Sequence, residues 1–507
     1  MQYELKKLFI GNNTTDTDLK VSIQSDLLQT KNHGLISDSN FIPDKNGFYH
    51  TSVTDLSIGE IIKISKYFDE IEMLDQPRDE WTHQKSLLST FKLMCELEKI
   101  GRNTKFRTNK NIIGFGEFED FLNQNKSFCI YPWINFVMEN SKNLQLCARS
   151  GLVVTQVDKL QDWVNDKHFN TIRNKMLAGQ SMGHACQVCY NYEAIGAESY
   201  RQYDTREWLN QLEIKNLSDL KKIENPYYYE IRLSNKCNAM CRGCRPSYSH
   251  LIEKEARKFN IVHDKGNFKP AYPSIDNINV STLTNKHRVY LTGGEPTIMS
   301  EVLKFMENCI DQNKTDFELT MSTNGEKFSA KFLKLSESFS NMNFSFSLDG
   351  YGKINDYWRW GTNWDNIVKN MKLCQRMGHS VQINTVPGIY NVTNLHLLYE
   401  FLDKEFPLTT VYLQLNYLEK FNTFNHPNRK LVVESMEKCK QTKVYHSDGK
   451  SNKTVIDSIY DYYIKNPTPD ISLLKQFFDF NDQLDRARNS KLGDYIPELE
   501  ACRQYIL

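Results

Sequence analysis

Between about Tyr227 and Leu418 the chain alternates two hydrophobic rhythms. Six runs have the apolar alternation and β-branched or aromatic content of strands: Tyr227 to Ser234, His287 to Thr292, Phe317 to Thr323, Asn343 to Leu348, Val381 to Val386 and Val411 to Tyr417. The segments Glu301 to Ile310, Ala330 to Phe339, Trp364 to Met377 and Asn394 to Glu405 repeat their apolar residues at helical spacing instead. Strand and helix in steady alternation predict an α/β fold with a parallel sheet. Six such units predict an open, partial (βα)6 barrel, since a closed barrel takes eight.

In parallel βα folds the reactive groups collect where the strands end and the loops open. The distinctive polar segments fall at those places. The first strand runs into Cys237, the second into Gly293-Gly294-Glu295-Pro296, the third into Ser322-Thr323-Asn324-Gly325 and the fourth into Ser347-Leu348-Asp349-Gly350. Asn384 to Gly388 follows the fifth, and Asn416 holds the same place on the sixth. Taken singly, Gly293-Gly294, Asn324-Gly325 and Asp349-Gly350 are also ordinary turn sequences.

A length of 507 residues suggests roughly three domains, and the chain is divided here into four segments. Residues 226–440 form the βα core, 126–215 a cysteine-bearing module, 1–125 a small α/β domain, and 441–507 a helical extension that includes Ser472 to Phe480. Within the first segment, Asn46 to Pro77 reads as a strand, helix, strand unit, with a helix over Ile58 to Phe68 and extended chain over Glu70 to Leu74.

Lys and Arg number 63 against 62 Asp and Glu, so no global charge draws the chain to nucleic acid or to a membrane surface. No apolar run approaches the ~18 residues of a membrane span. A cytoplasmic location is expected. In that reducing setting 12 cysteines call for a reason other than disulfides. Cys309 and Cys374 sit at helical core spacing; Cys95, Cys439 and Cys502 read as isolated thiols. The other seven form two groups, Cys129, Cys147, Cys186, Cys189 and then Cys237, Cys241, Cys244, which points to metal ligation.

Cys237-Asn-Ala-Met-Cys241-Arg-Gly-Cys244 puts three thiols on one tight loop after a strand. Three thiolates hold three corners of a cubane iron–sulfur cluster and leave the fourth iron open. Structural zinc would want a fourth ligand nearby. His250, the nearest candidate, is expected on the exposed face of the following helix.

The CxxxCxxC loop with the GGEP, STNG and SLDG segments, in that order on successive strands, resembles the radical S-adenosylmethionine (SAM) superfamily over roughly Tyr229 to Tyr417. The resemblance implies a radical SAM partial barrel and a 4Fe-4S cluster on Cys237, Cys241 and Cys244. It further implies that the open iron is chelated by SAM, whose reductive cleavage yields a 5'-deoxyadenosyl radical. Gly293, Gly294, Glu295 and Pro296 would receive the methionyl amino group, with Glu295 offering an acceptor. Ser322, Asn324, Ser347 and Asp349 would face the sulfonium and ribose, and Asn384 to Gly388 would flank the adenine. Arg359 matches a recurring arginine of the family, although a surface salt bridge describes it as well. One departure is Gly243, where the family often carries a large or aromatic residue that packs near the adenine.

Cys129, Cys147 and Cys186-Gln-Val-Cys189, followed by Glu193, Gly196, Ser199 and Arg201, resemble the SPASM and twitch auxiliary-cluster modules, here placed ahead of the core. Four cysteines close all corners of a cubane, which suits electron transfer. A four-cysteine site ending in CxxC also describes a zinc ribbon, so the metal there stays open. Trp133 and Tyr190 read as packing around this site. The resemblance implies hydrogen abstraction from a peptide or protein, and an electron donor such as a flavodoxin or ferredoxin. Oxidation of a sugar or small molecule, and a binding protein without turnover, remain as alternatives. The sequence names neither the substrate nor the bond changed.

Overall fold

A computed structural model describes residues 7–13, 70–76 and 103–108, and then 121–506 apart from 123, 139–142, 151–152, 157–162, 164, 195–198, 264–271, 408, 415–418, 447–449 and 466–468. The chain divides into two compact units, one of Met1–Gln124 with Arg206–Asp219 and the other of Asn125–Thr205 with Leu220–Leu507. In the first unit, strands β1 (Lys7–Asn13), β2 (Glu70–Gln76) and β3 (Asn103–Thr108) form a parallel sheet in that order. β2 contains the extended stretch expected at Glu70 to Leu74, whereas the helix expected over Ile58 to Phe68 lies outside the described residues.

The second unit is built on a nine-stranded sheet. Its six core strands are β7 (Tyr228–Arg232), β8 (Arg288–Thr292), β9 (Glu318–Thr323), β10 (Met342–Ser347), β11 (Ser380–Thr385) and β12 (Thr410–Leu413). They run parallel in sequence order, the partial-barrel arrangement that the alternation predicts. Asn416 lies outside the described residues.

Three shorter strands, β4 (Asn135–Met138), β5 (Asn143–Gln145) and β6 (Val153–Gln156), continue the same sheet beyond β7. β4 is parallel to β7, with Asn135 opposite Tyr228, while β5 and β6 are antiparallel. The cysteine-bearing segment, read above as a separate module, is therefore an edge of the core sheet. Strands of three or four residues have too few alternations to announce themselves in sequence.

Helix α1 (Lys167–Leu177) and helix α2 (Gln187–Ala194) belong to this edge. α3 (His250–Phe259) follows the three-cysteine loop, and Ser249 caps it by accepting from the Ile252 N–H. Helices α4 (Ser300–Asp311), α5 (Ala330–Ser336), α6 (Lys353–Trp358), α7 (Trp364–Arg376) and α8 (Leu395–Glu405) complete the βα units. Val302, Phe305, Met306 and Cys309 of α4 pack with Leu291, Leu319 and Met321 of the sheet in one core cluster, each side chain contributing about 1.5–3 kcal/mol by burial. Cys309 and Cys374 are core residues, as their spacing predicts.

Alternate residues on the other sheet face are polar and bond to one another. Arg288 pairs with Glu318 at 2.9 Å, Tyr290 Oη lies 2.5 Å from Ser322 Oγ, and Asn384 Nδ2 donates to Ser345 Oγ at 2.6 Å. A parallel sheet covered by helices on both faces is apolar on both. Polar alternation marks this face as the lining of the barrel.

After the core come helices α9 (Arg429–Lys440), α10 (Lys450–Lys465) and α11 (Ile471–Arg488), followed by the short helices Leu492–Tyr495 and Pro497–Glu500. Among the described residues no helix is long and apolar enough to cross a membrane.

Candidate active site and a second thiol site

β7 ends at Arg232, and the chain turns into the loop that carries Cys237, Cys241 and Cys244. Its backbone is held from several sides. Gly294 and Glu295 donate their N–H groups to the carbonyls of Ser234 and Lys236, both at 2.8 Å. Met240 and Arg242 donate to Trp360 and Trp358, both at 2.7 Å. The His250 Nδ1 accepts from the Cys237 N–H at 3.2 Å, so this half-buried side chain braces the loop rather than facing outward as expected.

The glycines of the GGEP segment have a steric reason. A Cβ on Gly294 would overlap the Lys236 carbonyl, and one on Gly293, whose φ is +130°, would stand 2.6 Å from the Ser234 carbonyl. Only glycine lets the second loop lie against the cysteine loop here.

Glu295 is 1% exposed and its carboxylate joins two motif loops. Oε1 accepts from Thr297 Oγ1 at 2.7 Å, Thr323 Oγ1 at 2.8 Å and the Thr297 N–H at 3.3 Å, and Oε2 accepts from the Asn324 N–H at 2.6 Å. Burial raises its pKa, and these four donors oppose the rise. The carboxylate read above as an acceptor for the methionyl amino group is engaged inside the protein, tying GGEP to STNG. Asn324 itself reaches the cysteine loop, donating to Asn238 Oδ1 at 2.8 Å with Cys237 Sγ 3.9 Å away.

Asp349 is buried and ion-paired to Arg359 at 2.7 Å, and its Oδ1 accepts from the Val386 N–H at 2.8 Å. Burial raises its pKa while Arg359 opposes the shift. The other end of the Arg359 guanidinium lies 4.0 Å from Cys241 Sγ. Arg359 is therefore an interior cation beside the thiols and not a surface salt bridge. Ser322, Ser347 and Asn384 are half-buried on or at the end of the polar lining, and Pro296 is buried in a short turn. Where a side chain on Gly243 would project, the Trp358 indole stands 3.5 Å away, and the same ring fills the space beside Gly388.

Burial raises the pKa of all three thiols, Cys244 to about 12. Neighbouring thiols add to the rise at Cys237 and Cys244, and Arg359 opposes it at Cys241 and Cys244.

The second site gathers Cys129 ahead of β4, Cys147 after β5, Cys186 in the turn Gly183–Cys186 and Cys189 in the first turn of α2. These four, with Tyr131, Arg149, Tyr200 and Arg201, line one partly open pocket. Arg201 pairs with Glu193 at 2.8 Å, and Ser199 Oγ donates to the same carboxylate at 2.6 Å. Arg149 lies 3.7 Å over the Tyr200 ring and 3.8 Å from Asp204. Gly196 falls outside the described residues. Tyr190 accepts from the Met182 N–H at 3.2 Å and Trp133 packs 5.2 Å from Phe128, both structural contacts.

Burial raises all four thiol pKa values, Cys186 to about 12, and at Cys129, Cys186 and Cys189 neighbouring thiols add to the rise. Among the described residues, no three His, Cys, Asp or Glu side chains converge as a single metal ion requires. A cubane asks for a different arrangement, because each thiolate meets its own iron.

Arg242, Tyr357 and Asp485, which border the three-cysteine loop, and Arg149 beside the four-cysteine site carry no sequence signal. A charged residue in a turn or on a helix reads as solvent-facing until the fold buries it. Tyr290 had a signal, as a polar position on an alternating strand of a parallel sheet.

A comparison with curated proteins finds no match. Among solved structures, the chain is similar to "Native anSMEcpe with bound AdoMet", with 18% identity and a TM-score of 0.31 over 41% of this chain and 57% of that one. It is also similar to Streptococcus suis SuiB bound to precursor peptide SuiA, with 16% identity and a TM-score of 0.29 over 63% and 66% of the two chains. The alignment thus spans little more than half the length of anSMEcpe. The family profile described as Radical SAM superfamily matches residues 231–402, the stretch from β7 to α8 that carries the three-cysteine loop and the GGEP, STNG and SLDG loops. Residues 231–402 of this chain are a radical SAM domain.

Proposed function

We propose that the protein is a radical SAM enzyme that abstracts hydrogen from a peptide or protein substrate, with a 4Fe-4S cluster on Cys237, Cys241 and Cys244. One observation carries this reading: the three thiols share a single loop that the GGEP and STNG loops brace at the carboxyl ends of adjacent parallel strands. When bound, the cluster and SAM supply a reductive cleavage of the sulfonium that yields a 5'-deoxyadenosyl radical.

The protein's own groups do the positioning. The thiolates of Cys237, Cys241 and Cys244 would hold the cluster and leave a place for the amino and carboxylate groups of SAM. The backbone of Gly293 to Pro296 borders that place, and Glu295 keeps it aligned with Asn324. Ser322, Ser347 and Asn384, on the polar lining, face the ribose and adenine side, and Asp349 acts through Arg359, whose cation offsets thiolate charge at Cys241.

Cys129, Cys147, Cys186 and Cys189 would hold a second 4Fe-4S cluster, whose chemistry would be to accept an electron from the substrate radical. The donor that reduces the first cluster is a small electron carrier of the flavodoxin or ferredoxin kind. The peptide substrate class rests on the resemblance of residues 126–215 to auxiliary-cluster modules.

The test is anaerobic reconstitution with iron and sulfide, reduction in the presence of SAM, and assay for 5'-deoxyadenosine, with Cys241→Ala as control. Deoxyadenosine formed only by the intact triplet supports the reading. A cluster-loaded wild type that forms none, with and without a panel of peptides, overturns it.

A further inference from the structure

Arg242 lies inside the cysteine motif, between Cys241 and Gly243, and its side chain is 0% exposed. Such a charge must be paired where it lies. Nη2 meets Asp485 Oδ1 at 2.6 Å and Ser490 Oγ at 3.0 Å, Nη1 donates to Asn481 Oδ1 at 3.0 Å, and Nε donates to the Tyr357 carbonyl at 2.9 Å. The guanidinium also lies 3.6 Å over the Tyr357 ring, whose hydroxyl donates to Asp485 at 2.9 Å.

Asn481 and Asp485 belong to α11, which starts at an Asp470 cap and ends in left-handed backbone at Asn489. The buried face of α11 begins with Leu474, Phe477 and Phe478, and the same stripe continues through Asn481, Leu484, Asp485 and Arg488. Arg488 makes a second buried pair, bidentate to Glu255 of α3 at 2.7 and 2.8 Å. Two buried ion pairs thus join α11 to the three-cysteine loop and to the helix that leaves it. Apolar side chains on that face would stabilise the fold at least as well, because desolvation offsets most of the attraction within a buried pair. What a pair adds is a fixed position for the backbone that carries it.

We propose that α11 is a working part of the three-cysteine site. Arg242 and Asp485 are positioning residues that set the placement of Cys241 and Cys244, and Asp485 balances the cation carried by the residue next to Cys241. The site is then completed by residues some 80 positions beyond the radical SAM domain at 231–402. This rests on the reading of Cys237, Cys241 and Cys244 as cluster ligands.

The test uses the full chain, reconstituted anaerobically, as wild type, Asp485→Asn, Arg242→Gln and the double variant. Two quantities are read: the midpoint potential of the electron paramagnetic resonance signal that SAM perturbs, and the rate at which a chelator removes its iron. Thermal unfolding of the cluster-free proteins serves as the fold control. Asp485→Asn leaves a cation by the cluster and shifts the potential up; Arg242→Gln leaves an anion and shifts it down. The double variant returns the potential toward wild type, yet all three lose iron about 10-fold faster or more, as expected when groups that orient ligands are removed. If Arg242→Gln does not fold, Tyr357→Phe, which removes only the phenol's bonds to α11, carries the iron-release measurement.

Variants that keep the wild-type potential and iron-release rate while only the unfolding temperature falls overturn the inference. A wild type with no SAM-perturbed signal overturns instead the reading of the loop as a cluster site.

Discussion

Cys237, Cys241 and Cys244 sit on one continuous loop at the carboxyl end of β7, whereas Cys129, Cys147, Cys186 and Cys189 come from three separate stretches of chain around the start of β4. β4 runs parallel to β7, so the two thiol sites lie toward opposite ends of one sheet. The first site is shaped by backbone: glycines that admit close approach, carbonyls that accept from the neighbouring loop, and a carboxylate joining two motifs. The second is shaped by side chains, with the Arg201–Glu193 pair and the Arg149–Tyr200 stack around a cavity. On the proposed reading, a loop of three thiolates would leave one iron open and four thiolates would close a cubane.

The largest effect that separates the sites is expected from their own cysteines. Cys241→Ala should reduce 5'-deoxyadenosine to background, while Cys186→Ser with Cys189→Ser should lower the iron content by about four atoms per chain and leave SAM cleavage in place. Iron analysis and the cleavage assay on the same preparations check both. Loss of cleavage in the Cys186, Cys189 variant would break the division of labour.

Gly294→Ala should act almost as strongly on the first site alone, since the new methyl meets the Lys236 carbonyl. The expected result is loss of the SAM-dependent change in the cluster's spectrum with the second cluster retained. A protein that binds SAM normally would show that the loops do not need their close contact.

Smaller effects should distinguish the two organising carboxylates. Glu295→Gln removes a buried charge that accepts four hydrogen bonds, and should cost about 1.5–3 kcal/mol in denaturant unfolding. Glu193 is 20% exposed at its side chain, and Glu193→Gln should cost less, about 1 kcal/mol, because solvent screens its pair with Arg201. The reverse order would mean that the four-cysteine cage depends on its ion pair more than the motif loops depend on Glu295.

The core strands and their motif loops were legible in the sequence because each strand alternates cleanly and each loop carries a compact signature. β4 to β6 were not, being too short to show a period, so the sheet's extension appears only once the chain is folded. The internal bonds of Glu295 were hidden as well, since its partners Thr323 and Asn324 lie at the end of the next strand and just after it. Arg242 and Asp485 are 243 positions apart, and nothing local in either segment announces a buried pair. Beside Gly243, which departs from the family's habit, the fold places the Trp358 indole from another element.

The most direct test of an open first cluster and a closed second one is electron–nuclear double resonance with SAM isotopically labelled in its amino and carboxylate groups. The account predicts coupling of the labels to a reduced cluster in the wild type and in the Cys186→Ser, Cys189→Ser protein, and none in Cys241→Ala. Coupling that survives Cys241→Ala, or disappears with Cys186 and Cys189, would contradict it.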